Sequence, residues 1–208
     1  TRNYIGVFIV SHGAATVARK IASHFDEEEL AAFPRIDGVV PFVHEQGAGM
    51  ERSGEPMELL RRTIGGYIRH PNTAGALVIA LGEEDNALDE FMAHQNLVPG
   101  AMLRTLVIQR AGGTKKAIAA GIEQVRSMLA AANDVRREPV SAEHISIGLQ
   151  CGGSDGFSGL SANPALGRAM EILIEHGGTA MLSETSEIFG VEHTLTARAV
   201  TPEVGKKL

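Results

Sequence analysis

The chain has 208 residues, 44% of them hydrophobic, and carries a net charge of −6. That is enough apolar material for one large α/β domain, or for one domain and part of a second. The acidic balance argues against a nucleic-acid partner, whose phosphates need a basic face, and the single cysteine, Cys151, excludes an internal disulfide framework.

The first apolar run, residues 4–10, follows directly on Thr1 with no basic segment ahead of it, so it reads as a strand and not as a secretion signal. The absence of an initial Met is what a processed or cut chain would show. Further continuous apolar runs follow at 38–43, 75–81, 103–109, 145–150 and 179–182. None is long enough to cross a membrane, and a cytoplasmic protein is expected. Runs that are apolar throughout, without strict alternation, suit parallel strands covered on both faces.

Helical spacing lies between the runs: Met57, Leu60, Ile64 and Ile68; Ile118, Ile122, Val125 and Leu129; Leu166, Met170, Leu173 and Ile174. Weaker helices are predicted over 15–24 and 85–94. Asn163 reads as the N-cap of the Leu166 helix, with Pro164 in its first turn and Gly177 at its stop. Arg61-Arg62 and residues 26–29 read as solvated faces or turns. Six strand–helix units in succession predict an α/β doubly wound, mainly parallel sheet with helices on both faces, Rossmann-like, over 1–208 as one unit. The polar stretch within 133–142 is the candidate sub-boundary.

Ligands of such sheets bind beyond the carboxyl ends of the strands, and the unusual residues gather there. The strongest local pattern runs from Gln150 through Cys151, Gly152, Gly153, Ser154, Asp155, Gly156 and Phe157 to Ser158, then Ser161-Ala162-Asn163-Pro164. A strand, a glycine-rich turn and a helix start can cradle a carboxylate or phosphate with backbone N–H groups. The same glycines could serve turn geometry alone, and neither phosphate-binding glycine fingerprint is present. Asp155 and Ser158 could bind substrate hydroxyls, or Asp155 could ligate a metal or close an Asx turn. Cys151 is open between a thiolate ligand and an inert thiol. His12 and His44, with Glu45 and Glu83 nearby, could form a divalent-metal site or a base and its orienting partner, or be loop histidines without a partner. Glu184 and Glu187 follow the last strand and could hold a metal or take a proton; Glu187 could equally be a first-turn residue favoured by a helix dipole.

The stretch from Leu149 to Gly167 closely resembles the signature of the altronate/galactarate dehydratase family. So do the opening Thr1-Arg2-Asn3-Tyr4, the loop of His44 with Gly47 and Gly49, the segment Tyr67 to Asn72, and Ser183-Glu184-Thr185 with Glu187 to His193. The resemblance implies dehydration of an aldonic or aldaric acid to a 2-keto-3-deoxy acid, or lyase action on another 2-hydroxy acid such as sulfolactate. It implies a divalent ion, Fe2+ or Mn2+. It makes His44, Cys151, Asp155 and Glu184 the candidates for the site of that chemistry, with His44, Asp155 and Glu184 as catalytic residues; Gly152, Gly153, Ser154, Ser158 and Asn163 are the candidate substrate-binding residues, and His12, Glu83 and Cys151 the candidate metal ligands. Where the family commonly has cysteines, this chain reads Ser11-His12-Gly13-Ala14, Gly47-Ala48-Gly49 and Gly82-Glu83-Glu84. A shared thiolate site is therefore expected to be lost, leaving O and N ligands or a binding domain without catalysis. The resemblance also implies a small-molecule sugar-acid partner, an N-terminal domain or partner subunit beyond this chain, and a homo-oligomer.

Overall fold

A computed structural model describes residues 1–153 and 155–208. The chain divides into two compact units, Thr1–Arg136 and Arg137–Leu208.

The first unit is a four-stranded parallel sheet of β1 (Tyr4–Ile9), β2 (Gly38–Phe42), β3 (Thr73–Ala80) and β4 (Leu103–Val107), in the order β2-β1-β3-β4. In β1, Ile5, Val7 and Ile9 enter one apolar cluster, and Phe8 enters the other together with the adjoining Val10. Both faces of the strand are buried, which is why its sequence is apolar without alternation. Helices α1 (Ala15–Ala22) and α5 (Thr114–Asn133) cover the first face; α3 (Glu55–Ile68) and α4 (Leu88–His94) cover the second. Each fully buried Leu, Ile or Phe here contributes about 1.5–3 kcal/mol of transfer free energy. Between α1 and β2, the single-turn α2 (Glu27–Leu30) starts at Asp26, whose carboxylate accepts from the Glu28 and Glu29 N–H groups. The doubly wound expectation holds for this unit, but its strand order is that of flavodoxin-like sheets and not of Rossmann ones.

The second unit has its own two-stranded parallel sheet, β5 (Ser146–Leu149) beside β6 (Thr179–Leu182). Between the strands lie α6 (Gly156–Leu160) and α7 (Ala162–Glu175), and after them the short α8 (His193–Thr196) and α9 (Pro202–Gly205). The expected single sheet is thus corrected to two. Continuous apolar runs identify strands but do not say which of them pair, and residues 134–141 between the sheets are all exposed.

Two local expectations also change. Helix α7 begins at Ala162 with Ser161 at the N-cap position, so Asn163 lies inside the first turn and caps nothing. The reason is that α6 ends at Leu160 and leaves a single residue between the helices. The stop at Gly177 does hold. At φ +84° its N–H reaches the Ile174 carbonyl, and the Gly178 N–H reaches that of Leu173, the paired bonds of a Schellman ending. Arg61, expected on a solvated face, is 3% exposed. It lies on the same stripe of α3 as Met57, Ile64, Gly65 and Ile68.

Candidate functional site

In the first unit the chain leaves β1 toward β2 on one side and returns to β3 on the other, so a crevice opens beyond the ends of β1 and β3. The loop after β2 fills it. His12 donates its backbone N–H to Gln46 O at 3.0 Å, and Asn86 donates to Gly47 O at 3.0 Å, so both walls hold the loop. The Gly49 N–H reaches the Asp85 carboxylate at 2.7 Å. At Gly47, φ is +92° and a Cβ would collide with the Val10 carbonyl and the Ser11 backbone. Only glycine lets the loop lie this close.

His44 anchors the loop. Its Nδ1 accepts from the Gln46 N–H at 3.2 Å, which puts the ring proton on Nε2, donated to Ile9 O at 3.0 Å. Burial lowers its pKa from the ordinary 6.5; the Ile9 carbonyl pulls it up, and the nearby His12 lowers it further. The imidazole is neutral near pH 7 and both its nitrogens are engaged.

Beneath the loop, Arg61 donates from Nε to Asn86 Oδ1 at 2.9 Å and from a terminal nitrogen to Glu90 at 2.9 Å. Asn86, fully buried, donates in turn to Val10 O at 2.9 Å. The Glu84 carboxylate folds back on its own turn and accepts from the Leu81, Gly82 and Glu83 N–H groups. Ser11 is also fully buried, and its Oγ has no hydrogen-bond partner among the described residues. Asn86, held by Arg61, ties its own loop after β3 to Val10 O after β1 and to Gly47 O after β2. The signal for Arg61 lay in its helical spacing; nothing in the sequence marked Asn86.

In the second unit the two strand ends meet over a cavity of about 600 Å3 lined by residues from Leu149 to Leu208. Glu184 binds the loop after β5: its carboxylate accepts from Gln150 Nε2 at 3.2 Å and from the Cys151 N–H at 3.3 Å. It does so from a left-handed backbone, φ 60° and ψ 57°, a strain that non-glycine residues adopt rarely and mostly where surroundings impose it. Ser183 Oγ donates to Leu149 O at 2.7 Å, and Gln150 also donates to the Cys151 carbonyl. Asp155 is the N-cap of α6, accepting from the Phe157 and Ser158 N–H groups at 2.9 and 2.8 Å. The Ser158 N–H, the Ser158 hydroxyl and the Phe157 N–H hold its pKa below the usual carboxylate value, so it is ionised at neutral pH.

The structure thus gathers Cys151, Asp155, Ser158, Asn163 and Glu184 around one cavity. Gly152 and Gly153 join two of its lining residues, and nothing lies within 4 Å of a Cβ built on either. Ser154 lies outside the described residues. Cys151 is half-exposed. His12, His44 and Glu83 belong to the other unit, with His12 and Glu83 at its surface. Sequence reasoning did not single out Gln150 as the partner of Glu184. Among the described residues no three His, Cys, Asp or Glu side chains converge as ligands of one ion. The donor set expected for a divalent metal is therefore not assembled by these side chains. No described helix is long and apolar enough to cross a membrane.

The chain is thus a parallel α/β unit followed in sequence by a smaller parallel unit whose glycine-rich loop borders a cavity. Residues 1–133 match the family model "D-galactarate dehydratase/Altronate hydrolase, second domain", and residues 142–208 match "D-galactarate/Altronate dehydratase, C-terminal". The chain belongs to the D-galactarate dehydratase/altronate hydrolase family. It is 34% identical over 194 residues to an altronate dehydratase of Bacillus subtilis (strain 168), covering 92% of this chain and 37% of that protein. An altronate dehydratase of Escherichia coli (strain K12) is 35% identical over 179 residues, covering 86% and 35%. A (2R)-sulfolactate sulfo-lyase subunit beta of Chromohalobacter salexigens is 28% identical over 208 residues, covering 99% and 49%. The chain spans between about a third and a half of the length of these relatives.

Proposed function

We propose that this chain forms part of a sugar-acid dehydratase, a hydro-lyase that converts an aldonate or aldarate to a 2-keto-3-deoxy acid at the cavity of the second unit. The observation that carries the reading is the closure of the signature loop and the Glu184 loop on one cavity. Its volume is within the roughly 300–1,000 Å3 usual for small-molecule sites. The dehydratase relatives support the reaction class.

In this reading the substrate carboxylate lies against the Gly152 and Gly153 N–H groups, which stabilise the enediolate as it develops. Glu184 takes the proton from the carbon beside the carboxylate and returns it to the departing hydroxyl, which leaves as water. The enol that remains tautomerises to the keto acid. Asp155, Ser158 and Asn163 orient the substrate hydroxyls. His44, engaged at both nitrogens, anchors the β2 loop. A divalent ion, Fe2+ or Mn2+, belongs to the family reading, but no step here runs through one, since the side chains do not assemble its ligand set. The rest of the site comes from an N-terminal domain or partner subunit, and a cytoplasmic homo-oligomer completes the proposal.

The sulfo-lyase relative, which aligns over 99% of the chain, favours one second reading: cleavage of another 2-hydroxy acid such as sulfolactate. Anaerobic turnover of a sugar-acid panel and sulfolactate by the intact protein, with and without ferrous or manganous ion, decides between them. Appearance of a 2-keto-3-deoxy acid supports the dehydratase; sulfite release from sulfolactate alone supports the second reading. Tight acid binding with no product points to a domain that binds without catalysis.

A further inference from the structure

Among the described residues, Asn96 and Glu184 are the two that reach positive φ without being glycine. Asn visits that region readily; Glu does so at a cost. The strain at Glu184 is not needed to join the two strands of the second unit. Leu149 pairs with Leu182 in the sheet, and Leu149 O already accepts from the Ser183 N–H at 3.1 Å and from Ser183 Oγ at 2.7 Å. What the Glu184 side chain adds is a carboxylate fixed against the loop after β5, and strain of this kind collects where function requires a fixed geometry. We propose that Gln150 is a positioning residue for Glu184, holding the carboxylate in the orientation in which it takes the substrate proton; the inference rests on the reading of Glu184 as the base.

The Glu184 carboxylate is held at both oxygens. Oε1 accepts from Gln150 Nε2 at 3.2 Å and Oε2 from the Cys151 N–H at 3.3 Å. The second donor is backbone. The first is the one side chain that donates to this carboxylate among the described residues, and an amide suits the task. Its nitrogen carries two hydrogens, one for Glu184 and one for the Cys151 carbonyl, so the group cannot turn without losing a bond. An amide is uncharged and gives up no proton near neutral pH, so it orients the base without competing for the proton in transit. Each carboxylate oxygen has two lone pairs, and one N–H on each leaves one free to accept. Gln150, Cys151 and Glu184 line the same cavity. A long, exposed Glu left to itself samples many rotamers, and a reacting group displaced by about 1 Å forfeits much of the rate.

The test is steady-state turnover of a sugar-acid panel by the intact protein carrying Gln150→Met, which keeps length and bulk but not the donor. The same change is also made on Glu184→Asp, which draws the carboxylate back by one methylene and away from the amide. Gln150→Met alone is expected to lower kcat by about ten- to a hundredfold while KM moves less than about twofold. On Glu184→Asp it should cost less than about threefold in kcat, since Gln150 acts only through the longer carboxylate. A wild-type kcat in Gln150→Met overturns the proposal. So does the same fractional loss in both backgrounds, which marks a loop tie and nothing more. A Glu184→Asp variant as active as wild type overturns instead the assignment of Glu184 as the base, and a wild type that turns over no sugar acid overturns the dehydratase reading.

Discussion

His44 is held by the fold at both of its ring nitrogens. Its lowered pKa means that the folded chain resists protonation there, whereas the unfolded chain titrates near 6.5. For a base held neutral by folding, the contribution to stability is complete above pH 6.5 and is lost as the pH falls below it. Urea unfolding between pH 7.5 and 5 should show wild type losing stability toward acid more steeply than His44→Gln. Equal slopes would mean that the imidazole titrates as it does in the unfolded chain. Asp155 poses a parallel question, because the carboxylate assigned to the substrate also caps α6. Asp155→Ala removes both roles and should lower turnover by about a hundredfold or more, the scale of a lost positioned polar group. Asp155→Ser can still accept a hydrogen bond from the helix start. If the serine variant matches wild type in kcat/KM, the residue is a cap and nothing more.

At the scale of elements, three loops are locked by a pair of residues the chain carries far apart. Arg61→Ala strands the buried Asn86 amide oxygen and should cost about 2–4 kcal/mol in chemical denaturation, with the lower part of that range expected because Glu90 is half-exposed. Asn86→Ala should cost a comparable amount. The double variant should cost less than the sum, since each single change orphans the partner of the other; strict additivity would show that the pair is not the tie between the loops. The strands, the four longer helices of the first unit and the Gly177 ending were legible from apolar runs, helical spacing and glycine placement, all of them local signals. The tie was not. Arg61 occupies a position that the helix stripe assigns to the core, yet its charge argued for solvent, and the buried amide that reconciles the two lies 25 residues away. The same limit applies to the site. The glycine loop and the carboxylates announced themselves, but the pairing of Glu184 with Gln150 and Cys151 depends on β5 lying beside β6, and strand pairing is a property of the fold.

At the scale of the whole molecule, the two units differ in how far their own residues account for their stability. The first holds two apolar clusters, one on each face of its sheet, with Ile5, Val7, Ile9, Leu77 and Ile79 fully buried. The second has no buried residue among those described, and Phe157, Leu160 and Phe189 are each more than 80% exposed. A two-stranded parallel sheet without a buried face does not reach independent stability. Between the units, residues 134–141 are exposed and contain Arg136 and Arg137. Brief trypsin treatment should cut there first, because an exposed, irregular backbone can adopt the extended form a protease needs. The fragment 1–136 should keep a cooperative thermal transition and the tryptic resistance of its helices. Fragment 137–208, made separately, should show no cooperative transition and no dispersed amide spectrum. A sharp melt of the isolated 137–208 fragment would mean that it forms a core of its own. Loss of the 1–136 transition after the cut would mean that the two clusters of the first unit do not hold its sheet unaided.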